Sequence, residues 1–115
     1  MKSTAKDILG TTYLVKFGSK EEIELPENLA GACKVYTKRI LISTDKGDCE
    51  TNEEVKVSIE ETLAHEVLHA FLNECGVILD EENEEKICDF YMKNWRKLHS
   101  CIETILMKVD IDKLI

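Results

Sequence analysis

The sequence predicts an α+β domain, a short antiparallel sheet of three to four strands followed by two long helices. Three observations predict it. Short β-branched and aromatic runs broken by turn residues fill the first half. No helix-breaking residue interrupts Glu53–Glu74. Beyond it, Ile87, Tyr91, Trp95, Leu98, Ile102 and Ile105 recur at spacings of three and four, the period of a helix. Strands grouped before helices, rather than alternating with them, mark the α+β class. The 115 residues fit one domain spanning residues 1–115.

In order along the chain, Thr11–Phe17 is β-branched and aromatic and stops at the turn pair Gly18-Ser19. Ile23-Glu24-Leu25 alternates briefly before Pro26, which limits it to a short strand. Ala32–Thr37 and Arg39–Ser43 read as neighbouring strands with Lys38-Arg39 in or near a tight connection. Residues 44–52 are polar and turn-rich, and Thr51 or Asn52 can cap the helix that follows, with Glu53 and Glu54 favoured in its first turn. Gly76 is placed to close that helix. A second helix starts among Asp80–Glu84 and runs past Trp95 toward Lys108.

Composition narrows the function. With 43% apolar residues and few aromatics, the core is one modest aliphatic unit. The net charge of −8 and the lack of a basic stripe disfavour nucleic acid as a partner. No apolar run approaches the ~20 residues that span a bilayer, so no membrane segment is expected. The opening Met1–Lys6 lacks the apolar stretch of a secretory signal. Five cysteines, an odd count without a Cys-x-x-Cys pair, suggest reduced thiols and a cytoplasmic location rather than a disulfide framework.

The chemistry concentrates in His65-Glu66-Val67-Leu68-His69. Histidines four apart on a helix project from one face, one turn apart. Two imidazole nitrogens at that spacing can reach one zinc ion at about 2.0–2.1 Å. Glu66 is rotated to the side of the metal, where a carboxylate can take a proton from a water whose pKa zinc lowers to about 7. This is the zincin pattern. In a chain this short it arises by chance on the order of once in a few hundred sequences. Leu63, Val67 and Ala70 form an apolar stripe opposite the histidines, flanked by Leu68 and Leu72, so the helix is expected to be buried with the histidines inside or lining a cleft. The bland alternative is two buried histidines hydrogen-bonded to Glu66, which is costly to arrange without function.

Zinc needs a third protein ligand. By analogy with metzincins, Cys75, ten positions after His65, is a candidate, but Leu72 stands where their bend has glycine, so Cys75 is read as core or helix-end packing. Most of the run Asp80–Glu85 is a solvated helix start. Glu85 stands out because Asp89 follows one turn later, pairing a ligand oxygen with a carboxylate that can hold a zinc histidine. Glu84 is the rival, since it lies better on the Ile87-Tyr91-Trp95 face.

Thr62–Phe71, then Glu85-Lys86-Ile87-Cys88-Asp89, resembles small phage-encoded metallopeptidases of the ImmA/IrrE type over roughly residues 10–100. The resemblance implies a minimal zincin-like fold, zinc held by His65, His69 and Glu85, and Glu66 as general base. Bulky Phe90, Tyr91 and Met92 depart from the alanines frequent in that family, and no sensor or DNA-binding extension is present, so a repressor-cleaving role does not carry over.

The expected function is therefore zinc-dependent hydrolysis of a protein or peptide substrate. Tyr91, His99 and Tyr36 are candidate oxyanion donors, and Arg39–Ser43 is the expected edge strand for substrate pairing. The alternative is a catalytically silent zinc-binding interaction protein that binds a host factor. A compact SprT-like protease module is a third reading, disfavoured by the acidity.

Overall fold

The computed structural model describes residues 1–115. Four strands, β1 (Lys2–Ile8), β2 (Thr11–Gly18), β3 (Gly31–Lys34) and β4 (Arg39–Ser43), precede helices α1 (Asn52–Glu74) and α2 (Glu81–Lys108) and a short 3₁₀ turn at Ile111–Leu114. The α+β architecture expected from the sequence is present. The sheet order is β1-β2-β4-β3. It is mixed rather than purely antiparallel, because β3 enters at the outer edge and β4 turns back between it and β2. That places β4 parallel to β2, with Val15 opposite Ile40 and Phe17 opposite Ile42. No helix is long and apolar enough to cross a membrane.

The structure adds one strand and changes two local expectations. Lys2–Ile8 forms an edge strand despite its polarity, because the Leu9-Gly10 turn, with φ of 50° and 90°, folds it back onto β2. Residues 23–25 are not a strand: Glu24 takes a left-handed φ of 57°, and Ile23 and Leu25 bury against Leu41 on the outer face of the sheet. The third strand ends at Lys34, since Val35–Lys38 make the turn into β4, with Lys38 at a φ of 56°.

The opposite face carries the main core. Alternate side chains Tyr13 and Val15 of β2, and Ile40 and Ile42 of β4, pack with Ile8 and Ala70, joined by Ile59, Leu63 and Val67 of α1. Helix α1 ends in a Schellman arrangement. Gly76 adopts a φ of 76°, and Val77 donates its N–H to Leu72 O at 3.1 Å.

A carboxylate near the end of α1 ties the helix to the sheet. Glu74 stands where the helix dipole disfavours negative charge. It nevertheless accepts from Thr11 Oγ1 at 2.7 Å, Tyr13 Oη at 2.6 Å, Lys38 Nζ at 2.8 Å and Asn73 Nδ2 at 3.1 Å. The bonds from Lys38, Tyr13 and Thr11 hold its carboxyl down at about 2. A depressed carboxylate stabilises the fold above its ordinary value of 4.5 and loses that contribution as pH falls through the folded value of about 2. Glu74→Gln should therefore lower the melting temperature at pH 7 by about 5 °C or more, and the gap to wild type should close as thermal unfolding is repeated toward pH 2.

Candidate metal centre

Helix α1 sets the site because its start is fixed. Thr51 Oγ1 accepts from Glu54 N–H at 3.1 Å, and Glu54 Oε2 accepts from Thr51 N–H at 3.3 Å, a reciprocal capping box. With the helix so anchored, Thr62, Glu66 and Ala70 are its buried positions. His65 and His69 occupy the adjoining side, where α2 packs, each with about a tenth of its side chain exposed.

The imidazoles lie with centroids 4.9 Å apart and their planes at 67°. Their Nε2 atoms approach to 3.2 Å. Glu85 of α2 closes the group, with Oε1 2.7 Å from His69 Nε2 and Oε2 3.3 Å from His65 Nε2. Ligand atoms from His65, His69 and Glu85 all fall within 4.8 Å of one another. Two tetrahedral ligands at 2.0–2.1 Å from zinc stand about 3.3 Å apart, close to the spacing of these nitrogens.

The outer nitrogens explain the orientation. His69 Nδ1 lies 2.6 Å from Glu84 Oε2, so Glu84 holds His69 rather than joining the convergent group. His65 Nδ1 is 3.1 Å from Asp89 Oδ1 but out of line for a hydrogen bond, and it is a buried polar atom without an aligned partner. A carboxylate beside each Nδ1 favours the proton there and leaves each Nε2 lone pair directed inward. Two lone pairs and a carboxylate converging on one point repel unless a proton or a cation stands between them. The donor set is one that can hold a divalent metal ion.

Glu66 is 7% exposed and accepts no hydrogen bond. Burial pushes its carboxyl up to about 7, opposed by His69 and reinforced by the charge of Glu85. It lines a cleft of about 510 Å³ that opens over the histidines. One wall is β3 with the preceding residues Asn28–Ala30; the other is α2, through Glu81, Glu84, Glu85, Asp89 and Met92.

Strand β3, not β4, is the edge here, which corrects the expectation for Arg39–Ser43: that strand lies between β2 and β3. Ser43 N–H donates to Ala30 O at 2.9 Å. By the alternation of an antiparallel ladder, Ala32 and Lys34 also pair with β4, and the backbone groups of Gly31 and Cys33 point to the open edge. Gly31 is the residue that sequence reasoning missed. A Cβ there would stand 2.6 Å from Thr62 Cγ2 and 3.2 Å from Glu66 Cγ, so only glycine lets the strand approach the helix this closely. A glycine opening a strand was the available signal.

None of the expected oxyanion donors lines the cleft. Tyr36 is 97% exposed in the β3–β4 turn. Tyr91 is half-buried, its hydroxyl 3.0 Å from His99 Nε2 farther along α2. Cys75 is exposed at the end of α1, its thiol donating to Leu72 O at 3.6 Å, apart from the site.

A buried carboxyl raised above its ordinary 4.5 favours the fold when protonated, so its contribution is full below 4.5 and lost as pH rises through about 7. In chelator-treated protein at pH 8, Glu66→Gln should be more stable than wild type by about 1–3 kcal/mol in urea unfolding. The difference should vanish near pH 4. Equal stability at both pH values would mean that the carboxyl is not strained by burial. No protein-family model, curated protein or solved structure matches this chain.

Proposed function

We propose that the chain is a zinc-dependent metallopeptidase that hydrolyses peptide bonds, with His65, His69 and Glu85 as metal ligands and Glu66 as general base. The observation that carries this reading is the pairing of a convergent two-histidine, one-carboxylate group with a buried, unpartnered carboxylate beside it. A purely structural site has no use for that fourth group. The His-Glu-x-x-His spacing and the resemblance to ImmA/IrrE-type peptidases support the same reading.

A bound divalent cation supplies Lewis acidity, lowering the pKa of water and polarising a carbonyl. The chain's own groups do the rest. Glu66, buried beside the histidines, takes the proton of the attacking water and delivers it to the leaving amine. Glu84 orients the His69 imidazole through Nδ1, and the charge of Asp89 stands beside Nδ1 of His65. The open edge of β3 offers the backbone groups of Gly31 and Cys33 to an extended peptide, which would lie across the cleft as an added strand. The five free thiols fit the reducing cytoplasm as the place of action.

One observation favours a second reading, a catalytically silent zinc-binding protein that binds a partner. Tyr36, Tyr91 and His99 all lie outside the cleft, leaving no side chain among them to stabilise an oxyanion.

Metal analysis and peptide hydrolysis separate the readings. Purified wild type should hold about one zinc per chain. His65→Ala and Glu85→Ala should lose it, and Asp89→Asn should weaken binding by about 10–100-fold. Glu66→Gln should retain zinc and lose hydrolysis of an unstructured protein substrate by on the order of a hundredfold or more. Zinc bound without any hydrolysis by wild type would favour the silent binder. No metal under any loading condition would remove both.

A further inference from the structure

Helix α2 runs beyond the sheet and α1. Its 28 residues extend about 42 Å, and the molecule measures 54 Å along its longest axis. The radius of gyration is 16.3 Å, against roughly 13 Å for a compact chain of this length. All residues from Arg96 to Ile115 are exposed. The helix-spaced apolar stripe read from the sequence nevertheless continues through this arm. Trp95, Leu98, Ile102, Ile105 and Val109 follow one another at spacings of three, four, three and four, which is the seam of a coiled coil.

The seam is open: Leu98 is 46% exposed, Ile102 47%, Ile105 57% and Leu106 46%. With Val109, Ile111 and Leu114, these side chains leave on the order of 600 Å² of apolar surface in water, at the limit of what an ordinary monomer shows. A standard interface takes about 800 Å² from each partner, so this patch and its polar rim match one half of a stable dimer.

We propose that the arm Arg96–Ile115 is a homodimerisation element, and that two copies of α2 pair antiparallel along this seam. Charge argues for a second copy meeting at the arm. The chain carries −8, but the arm holds four basic side chains (Arg96, Lys97, Lys108, Lys113) against three acidic ones (Glu103, Asp110, Asp112). The negative excess therefore resides in the body, and the arm is where two copies approach without strong repulsion. The same imbalance selects the direction. Parallel pairing brings two acidic bodies together, whereas antiparallel pairing sends them to opposite ends.

The spacing is self-complementary under a twofold axis at Ser100. Leu98 then faces Ile102 of the second copy, Trp95 faces Ile105, and Tyr91 faces Val109. Cys101 stands one residue from that axis, on the same flank in both copies.

The full chain should sediment at twice its 13.2 kDa at tens of micromolar. The double variant Ile102→Glu, Ile105→Glu replaces half-exposed side chains that belong to neither core cluster, so its far-ultraviolet dichroism and zinc content should match wild type. Its dimer should dissociate at a concentration at least tenfold higher. Diamide, which oxidises two thiols to a disulfide, should give a covalent dimer that Cys101→Ser abolishes. A wild-type monomer at these concentrations would overturn the proposal and turn the seam over to a different partner. A dimer that survives the double variant would also overturn it, and a dimer without the Cys101 cross-link would overturn the antiparallel arrangement. None of these readouts depends on peptidase activity.

Discussion

A missing side chain at position 31 governs how closely the sheet meets α1, and the candidate site is built on that contact. Gly31 lies against Thr62 and the stem of Glu66, where a methyl group would meet Thr62 Cγ2 at 2.6 Å. The same contact covers the stem of Glu66, and burial of the residue raises its carboxyl. It also sets the open edge of β3 along the same cleft as the two imidazoles. A larger residue would have to part the strand from the helix, exposing the carboxylate and moving the edge away from the histidines together. Burial of the Glu66 carboxyl and placement of the open strand edge thus follow from a single packing constraint.

The acidic start of α2 resolves an electrostatic problem by position. Glu81, Glu82 and Glu84 fall in the first helical turn, where the dipole favours negative charge, and Asp80 caps it by accepting from Asn83 N–H at 2.8 Å. One short segment can therefore hold several carboxylates and turn three of them, Glu84, Glu85 and Asp89, toward two histidines. The same composition serves helix initiation and the surroundings of the imidazoles, which is why charge alone did not separate Glu84 from Glu85. The separation came from which histidine nitrogen each carboxylate reaches.

The parts legible in the sequence were those governed by local rules. Helix α1, its Thr51 cap, the Gly76 stop and the convergence of His65 and His69 all follow from spacings within a few residues. What depended on distant partners was not legible. Lys2–Ile8 is polar on both faces and becomes a strand through its pairing with β2. Ile23 and Leu25 alternate as a strand would, yet they cover Leu41 from a turn. The edge was misplaced because strand order is set by how the chain crosses the sheet. The apolar stripe of α2 was read correctly as a helix face, but periodicity does not say what a face packs against: within α2 only Cys88 is buried.

The parallel pairing of β2 with β4 shapes how the chain reaches this structure. The β1–β2 hairpin, the β3–β4 hairpin and the α1–α2 pair are each closed by a short connection, so they form from neighbouring residues. The contact of Val15 with Ile40 and of Phe17 with Ile42 joins segments well apart in sequence and welds the two hairpins into one sheet. Such a joint carries more loop-closure entropy than either hairpin, and the docking of α1, which brings Glu74 to Thr11 and Tyr13, spans a longer separation still.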